Sequence, residues 1–467
     1  MKTLLINPHI SHESVSKRIV GGTQEPLGLA YLAAALEKNN YPVEILDAEA
    51  LGISDQEIAE YVSSNNFDIV GMTMTTMTFS VAVNIIKAIK NLSDVIIHVG
   101  GPHPTILTVE TLEYSHEIDV VVIGEGEATI VELMDAIKNN KDFNTVKGIA
   151  YRKGNDIFFT DKRSNIEDID TIPFPARHLL PMKLYRGKPS AGEKLPIYSI
   201  FGARGCPFGC TFCSSVLGKK YRYHSAKRIC DEIEHLISDY GAKTIVFKDE
   251  TFTLNRKHVT DLCQEMINRN LNKKIIWTCA TRVNLVNRDL LELMKKAGCR
   301  LIHYGVESGN QRLLDIINKG IKLEEVISTF KLTREVGIVM GSYFMLGLPS
   351  ETLEESLNTI EFAKLADPDW VSFTITIPYP GSKMYDQLKE KDMIKTFDWD
   401  VYNTGSGYSD KPLPYVTEGR NEKELKDLQR RAMKEFYFRP KIILRHLMHV
   451  RSYDSLKRHI KGGLNLS

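Results

Sequence analysis

Along the first 145 residues, short apolar runs alternate with stretches whose apolar positions recur at helical spacing. The runs at 3–6, 42–46, 69–73, 96–99 and 120–123 predict strands, and 27–38, 55–63, 80–90 and 129–139 predict amphipathic helices between them. Alternation at this pitch belongs to a parallel sheet with helices on both faces. Residues 1–145 are therefore expected to form a doubly wound α/β domain on a five-stranded parallel sheet. The rhythm breaks over 146–194, where 148–151 and 156–159 read as a hairpin and prolines at 173, 175, 181 and 189 mark a wrapped linker. A second alternation follows, with strands at 198–203, 244–248, 275–280, 301–306, 339–346 and 371–377 and helices at 226–240, 257–269, 288–297, 311–318, 323–336 and 352–366. Six such units are too few for a closed eightfold barrel and predict an open, partial (β/α)6 barrel over 195–385. Its site would lie at the C-terminal ends of the strands. The remainder, 386–467, is expected to be mainly helical, with a charged amphipathic helix at 422–438.

Composition narrows the class. Apolar residues are 43% of the chain and charged residues 25%, as in a folded globular protein and unlike a disordered or fibrous one. Lys and Arg number 60 against 59 Asp and Glu, so the basic excess of a nucleic-acid binder is missing and no nucleic-acid partner is expected. No run approaches the roughly 18 apolar residues of a membrane span. The start, Met1-Lys2-Thr3-Leu4-Leu5-Ile6, reads as a first strand rather than a signal peptide, which predicts a cytoplasmic location. Seven cysteines, an odd number in such a chain, argue against a disulfide framework.

Three of those cysteines stand together, in Cys206-Pro207-Phe208-Gly209-Cys210-Thr211-Phe212-Cys213, directly after the first strand of the second alternation. Thiolates are soft ligands suited to iron–sulfur clusters and to zinc. Structural zinc wants four ligands, and the nearest further candidate is His224. Three thiolates on a four-iron cluster leave one iron open to a ligand. The cluster and a zinc knuckle completed from elsewhere are both compatible with the trio.

The spacing Cys-x-x-x-Cys-x-aromatic-Cys, with Phe212 as the aromatic, resembles the signature of the radical S-adenosylmethionine (SAM) enzymes. The resemblance covers about 195–380 and implies a 4Fe-4S cluster on Cys206, Cys210 and Cys213, with SAM on the open iron. It also implies SAM contacts from Phe212, from Asp249 or Glu250 to the amino group, from Arg282 to the carboxylate, from Glu307 and Ser308, and from the backbone at Gly347 and Pro349.

A parallel-sheet domain ahead of such a core is similar to a cobalamin-binding domain. The stretches that carry this likeness include Gly28, then Gly100-Gly101-Pro102-His103-Pro104-Thr105, then Gly124-Glu125-Gly126-Glu127. By resemblance these line the cobalamin, with Asn7 and Pro8 after the first strand and Thr73, Thr75 and Met77 after the third. The Asp-x-His-x-x-Gly motif of methionine-synthase-type domains is missing, since the corresponding stretch reads Asn7-Pro8-His9-Ile10-Ser11-His12. Neither His9 nor His12 is expected to bind cobalt, which in the resembled enzymes sits base-off. The stretch from Arg430 to Pro440 resembles one shared by the anaerobic magnesium-protoporphyrin ester cyclases and the hopanoid methylases.

Together these likenesses imply transfer of a methyl group from methylcobalamin to an unactivated carbon of a small-molecule substrate through a 5′-deoxyadenosyl radical. The alternative is a cyclase, oxidase or rearrangement enzyme without methyl transfer. An external electron donor of the flavodoxin or ferredoxin type is implied. Residues 439–461 hold seven Lys or Arg against one acid, a pattern that predicts peripheral contact with an anionic membrane surface or an anionic substrate.

Overall fold

A computed structural model describes residues 1–10, 23–185, 193–403 and 408–449. Two sheets organise it. The front sheet has the strand order β2-β1-β3-β4-β5-β6-β7. Its members are β1 (Thr3–Asn7), β2 (Val43–Asp47), β3 (Ile69–Thr73), β4 (Ile96–Gly100), β5 (Val120–Val122), β6 (Ile149–Lys153) and β7 (Asp156–Phe159). The first five strands are parallel, and β5 to β7 run as antiparallel neighbours. The hairpin assigned to the linker by its sequence is therefore part of the front sheet, which has seven strands rather than five. The reason is local. Strand β5 is three residues long and would leave an open edge; β6 covers it, with Ile149 and Ala150 fully buried.

One row of paired residues crosses the centre of this sheet. Leu5 pairs with Gly71, Gly71 with His98, and His98 with Val120. These side chains share the face covered by the helices Leu27–Lys38 and Glu127–Lys138, whose buried residues form one core cluster with Leu5 and Val120.

The second sheet is all parallel, in the order β15-β14-β13-β12-β11-β8. Its strands are β8 (Ile197–Ile200), β11 (Thr244–Phe247), β12 (Ile276–Thr281), β13 (Cys299–Glu307), β14 (Val339–Leu346) and β15 (Trp370–Ile375). Local signals fix the helices around it. Ser225 caps Ala226–Tyr240 by accepting from Arg228 N at 3.2 Å, and Gly241 ends that helix at φ +67°. Thr352 and Glu355 form a capping box for Leu353–Ala366. The strand expected at 198–203 is cut at Ile200, because Gly202 N turns to donate to Asp249 Oδ1 at 2.6 Å. The chain then forms a two-residue antiparallel pair, β9 (Ala203–Arg204) with β10 (Arg222–Tyr223).

The linker touches both halves, with Ala176 N donating to Ala30 O of the front half at 2.9 Å. Arg177 is fully buried, pairs with Glu232 at 2.7 Å and donates to Ser199 O at 2.7 Å. The C-terminal helix Glu422–Tyr437 lies along β15, where Gln429 Nε2 donates to Phe373 O at 2.7 Å. The basic segment beyond it is partly engaged: Arg445 and Lys441 reach Asp367 Oδ2 at 2.8 and 2.7 Å. Residues 450–467, the rest of the stretch expected at a membrane or anionic substrate, lie outside the described residues, as does His12. No helix among the described residues is long and apolar enough to cross a membrane.

Candidate functional site

The thiol loop is pinned to the barrel from several sides. Cys206 N donates to Gly218 O at 3.1 Å, Thr211 N to Ile317 O at 2.9 Å, Asn318 Nδ2 to Gly209 O at 2.9 Å and Met384 N to Thr211 O at 2.7 Å. Gly205 enters the loop at φ +86°, where a Cβ would stand 2.3 Å from Lys220 O, so the turn requires glycine. The three cysteines are free and at least partly exposed. Burial, then the charges of Glu250, Cys210 and Cys206, push the Cys213 thiol up to about 11. Among the described residues no group of three His, Cys, Asp or Glu side chains is gathered around a point where a single metal ion would sit.

The residues expected around SAM divide into two groups. Glu250, Arg282, Glu307 and Phe212 converge on the thiol loop. Glu250 accepts from Ser215 Oγ at 2.9 Å, two residues beyond Cys213. Arg282 is buried, donates to Cys210 Sγ at 3.5 Å and lies 3.9 Å over the Phe208 ring. Its other donors are committed to Asn284 Oδ1 and to the carbonyls of Lys319 and Gly320. Glu307, at φ +77°, pairs with Lys319 Nζ at 2.7 Å, and that ammonium lies 5.6 Å over the Phe212 ring. Gly305 makes room for the pair, since a Cβ there would stand 2.6 Å from Glu307 Oε1.

Asp249 and Ser308 make their hydrogen bonds within the barrel wall. Asp249 is buried, accepts from Gly202 N, and is pushed up to about 7 by burial. The fully buried Ser308 Oγ accepts from Asn310 N at 3.1 Å and sits 3.3 Å from Thr359 Oγ1. Gly347, at φ +79°, abuts Leu425 of the C-terminal helix, and Pro349 follows in a loop held by Leu348 N donating to Glu351 at 2.6 Å.

The front sheet carries a cavity of about 300 Å³, within the range of small-molecule sites. Thr73, Gly100, Gly101, Thr105, Gly124, Gly126 and Gly28 line it. Gly101 is required there: at φ +107° its Cβ would meet Met74 O at 2.7 Å. Beneath them lie Leu5, Gly71 and His98, and opposite stand Phe201, Arg204, Val216 and Leu217 of the barrel side. The glycine lip gives a ligand close access to backbone, and the apolar depth has room for an aromatic appendage such as the base of a nucleotide tail, the macrocycle itself lying outside it.

Other residues expected at cobalamin also make contacts within the protein. Glu125 and Glu127 border the cavity, but their carboxylates cross to the second domain. Arg204 donates to Glu125 Oε1 at 2.9 Å and to Glu127 Oε1 at 2.6 Å, and Arg222 donates to Glu125 Oε2 at 2.8 Å. Burial pushes the Glu125 carboxyl up, and the guanidiniums of Arg222 and Arg204 more than reverse this, holding it below its ordinary value. Asn7 Nδ2 donates to Asp47 Oδ1 at 2.8 Å, and Pro8 is buried beside it. His103 is buried against Phe79 and Trp399, with ring centroids 4.3 and 5.1 Å away, so residue 399 of the C-terminal region closes over the front sheet. Thr75 is exposed and Met77 half-buried in the turn beneath Trp399. His9 pairs with Asp55 at 2.7 Å.

Sequence reasoning missed Lys319, Arg204, Arg222, Gly71 and His98. A signal existed for the last two: glycine and histidine interrupt the apolar strands Ile69-Val70-Gly71-Met72 and Ile96-Ile97-His98-Val99.

Comparison with known proteins agrees with this architecture. The Radical SAM superfamily profile matches residues 200–363, and the B12 binding domain profile matches 15–134. A Pyrococcus horikoshii protein named as an uncharacterized methyltransferase is 36% identical over 100% of this chain and 98% of its own. The anaerobic magnesium-protoporphyrin IX monomethyl ester cyclase of Cereibacter sphaeroides is 34% identical over 82% of this chain and 63% of its own. The solved radical SAM methyltransferase TsrM of Kitasatospora setae, holding cobalamin and a [4Fe-4S] cluster, shares the fold at a TM-score of 0.76 and 18% identity, covering 99% of each chain. The chain thus belongs to the radical SAM enzymes that carry a B12-binding domain, a family whose cofactors are a 4Fe-4S cluster, SAM and cobalamin.

Proposed function

We propose that this enzyme places a methyl group on an unactivated carbon of a small-molecule substrate. One observation carries the reading: Val216 and Leu217, which continue the loop bearing Cys213, also wall the front-sheet cavity. Chemistry at the thiols and chemistry in the cavity thereby share a boundary, which a reaction drawing on both requires. When bound, the cluster and SAM supply a hydrogen-abstracting radical, and cobalamin supplies the methyl group.

The chain's own residues hold and orient. Cys206, Cys210 and Cys213 are the cluster ligands. Arg282, with its donors already committed, sets positive charge against the Cys210 thiolate. Glu250, exposed and held among the described residues by Ser215, accepts from the ammonium of SAM, while Asp249 positions the turn before the cluster loop. The Arg204 and Arg222 clamps on Glu125 fix the spacing between the two domains. An electron donor of the flavodoxin or ferredoxin type feeds the cluster from outside.

The test is anaerobic turnover of cluster-reconstituted, cobalamin-loaded protein with SAM and a reductant, with products measured by mass spectrometry. The expected result is both S-adenosylhomocysteine and 5′-deoxyadenosine, rising together when substrate is present. The relationship to the ester cyclase, at 34% identity, favours a second reading, radical oxidation without methyl transfer. In that case substrate raises 5′-deoxyadenosine alone.

A further inference from the structure

The floor of the front-sheet cavity holds an imidazole with no hydrogen-bond partner among the described residues. His98 is 3% exposed, lines the cavity, and neither ring nitrogen has a hydrogen-bond partner among the described residues. Burying an unpaired polar group is costly, so such groups normally have a partner, a water or a ligand. The neighbouring strand is shaped to keep the ring there. Gly71 lies beside His98 in the sheet, and a Cβ on it would stand 2.3 Å from His98 Nε2 and 2.8 Å from Leu5 Cδ2. Only glycine lets the imidazole lie across β3.

Several other polar groups of the cavity are already partnered. Arg204, Glu125 and Glu127 satisfy one another, and Thr105 Oγ1 accepts from Gly124 N at 3.1 Å. Tyr31 also lacks a partner among the described residues, but its charged neighbours are Glu232, Arg177, Arg204 and Arg228, which places its hydroxyl on the barrel and linker side. Leu5, Val122 and Ile130 supply flat apolar walls around His98. The cavity thus asks for an aromatic body with one hydrogen-bonding atom at its inner end.

We propose that His98 is a specificity-determining residue that donates a hydrogen bond to the free ring nitrogen of the heterocyclic base at the end of cobalamin's nucleotide tail. The inference rests on the cobalamin reading of this cavity and deepens it, because it names the class of tail base the enzyme selects. A base detached from cobalt has a ring-nitrogen lone pair that must be paired when buried. Burial pushes His98 down to about 4, so near neutral pH it is a neutral imidazole with one donor and one acceptor nitrogen.

The experiment measures binding, not turnover. Full-length, cluster-reconstituted wild type, His98→Leu and His98→Gln are titrated anaerobically with three corrinoids. These are cobalamin, a phenolyl cobamide whose base has no ring nitrogen, and cobinamide, which has no tail. The cost of detaching a base from cobalt belongs to the ligand and cancels when variants are compared. The expected result is that His98→Leu weakens cobalamin by about tenfold or more, the range for a buried partner left unpaired, with less than about a twofold effect on phenolyl cobamide and cobinamide. His98→Gln, which keeps a donor, recovers part of the loss. Unchanged cobinamide binding shows that the variants are folded. Equal effects on cobalamin and phenolyl cobamide, or none on either, overturn this inference alone. Failure of the folded wild type to bind any corrinoid overturns it together with the proposed function.

Discussion

Replacing Arg204 with Met tests whether the two domains are held in register by buried charge. The Arg204 side chain is 7% exposed, and its partners Glu125 and Glu127 are 3% and 10% exposed. The substitution keeps the aliphatic stem and removes the guanidinium. Glu125 retains Arg222, with contacts at 2.8 and 2.9 Å, while Glu127 loses its bond to Arg204. Breaking a buried pair by deleting one partner costs about 3–5 kcal/mol. Because one of the two carboxylates stays paired, the lower end, about 3 kcal/mol, is expected. The assay is urea unfolding of the anaerobically purified protein, run as a cycle with Glu127→Gln and the double variant. A coupling of about 1.5 kcal/mol or more is expected for a close, desolvated pair. A coupling below about 0.5 kcal/mol, the value of an exposed pair, refutes the reasoning. The pH dependence has a definite sign. The folded Glu125 carboxyl lies below its unfolded value, so its contribution is present above the ordinary glutamate range and is lost as pH falls through the folded value. The destabilisation caused by Arg204→Met should therefore shrink in acid.

Other outcomes follow from the same geometry. Replacing Cys206, Cys210 or Cys213 singly with Ala should abolish cluster loading, read as iron and sulfide content and as visible absorbance after reconstitution. Lys319→Met leaves Glu307 buried and unpaired, so the melting temperature should fall by an amount equivalent to about 3 kcal/mol or more, read by calorimetry. Gly101→Ala forces a Cβ to 2.7 Å from Met74 O at φ +107°; corrinoid affinity and stability should both drop, the latter by roughly 1–3 kcal/mol. Asp249, buried and raised to about 7, favours the protonated folded state. Its contribution is complete below the unfolded value and is lost as pH rises toward 7, so the stability of wild type relative to Asp249→Asn should fall by a few kcal/mol between pH 4 and 7.

The elements with strong local signals were readable in advance. The helices Leu27–Lys38, Ala226–Tyr240 and Leu323–Val336 and the strand Val339–Leu346 fall where the apolar period places them. The cysteine loop was readable because its chemistry is packed into eight neighbouring residues. What escaped depends on distance along the chain. Glu125 looks like a loop acid beside a glycine lip, and only the fold reveals Arg204 and Arg222, 79 and 97 residues away. The hairpin at Gly148 has no local mark that says which sheet it joins; the short edge of β5 decides that. Ser308 sits inside a glycine-rich motif, yet Thr359 from a later helix turns it into the wall. Gly71 and His98 interrupt buried strands, a visible oddity whose meaning needs the register between β3 and β4.

The most direct test of the account is whether cluster and cobalamin face each other in one chain. Protein loaded with both is reduced until the cluster and the cobalt are each paramagnetic, and the two signals are recorded by electron paramagnetic resonance. A loop that walls both sites predicts dipolar coupling, seen as broadening and faster relaxation of each signal compared with singly loaded samples. Two signals that superpose unchanged on the singly loaded spectra would contradict a shared cleft, and with it the methyl transfer proposed to occur there.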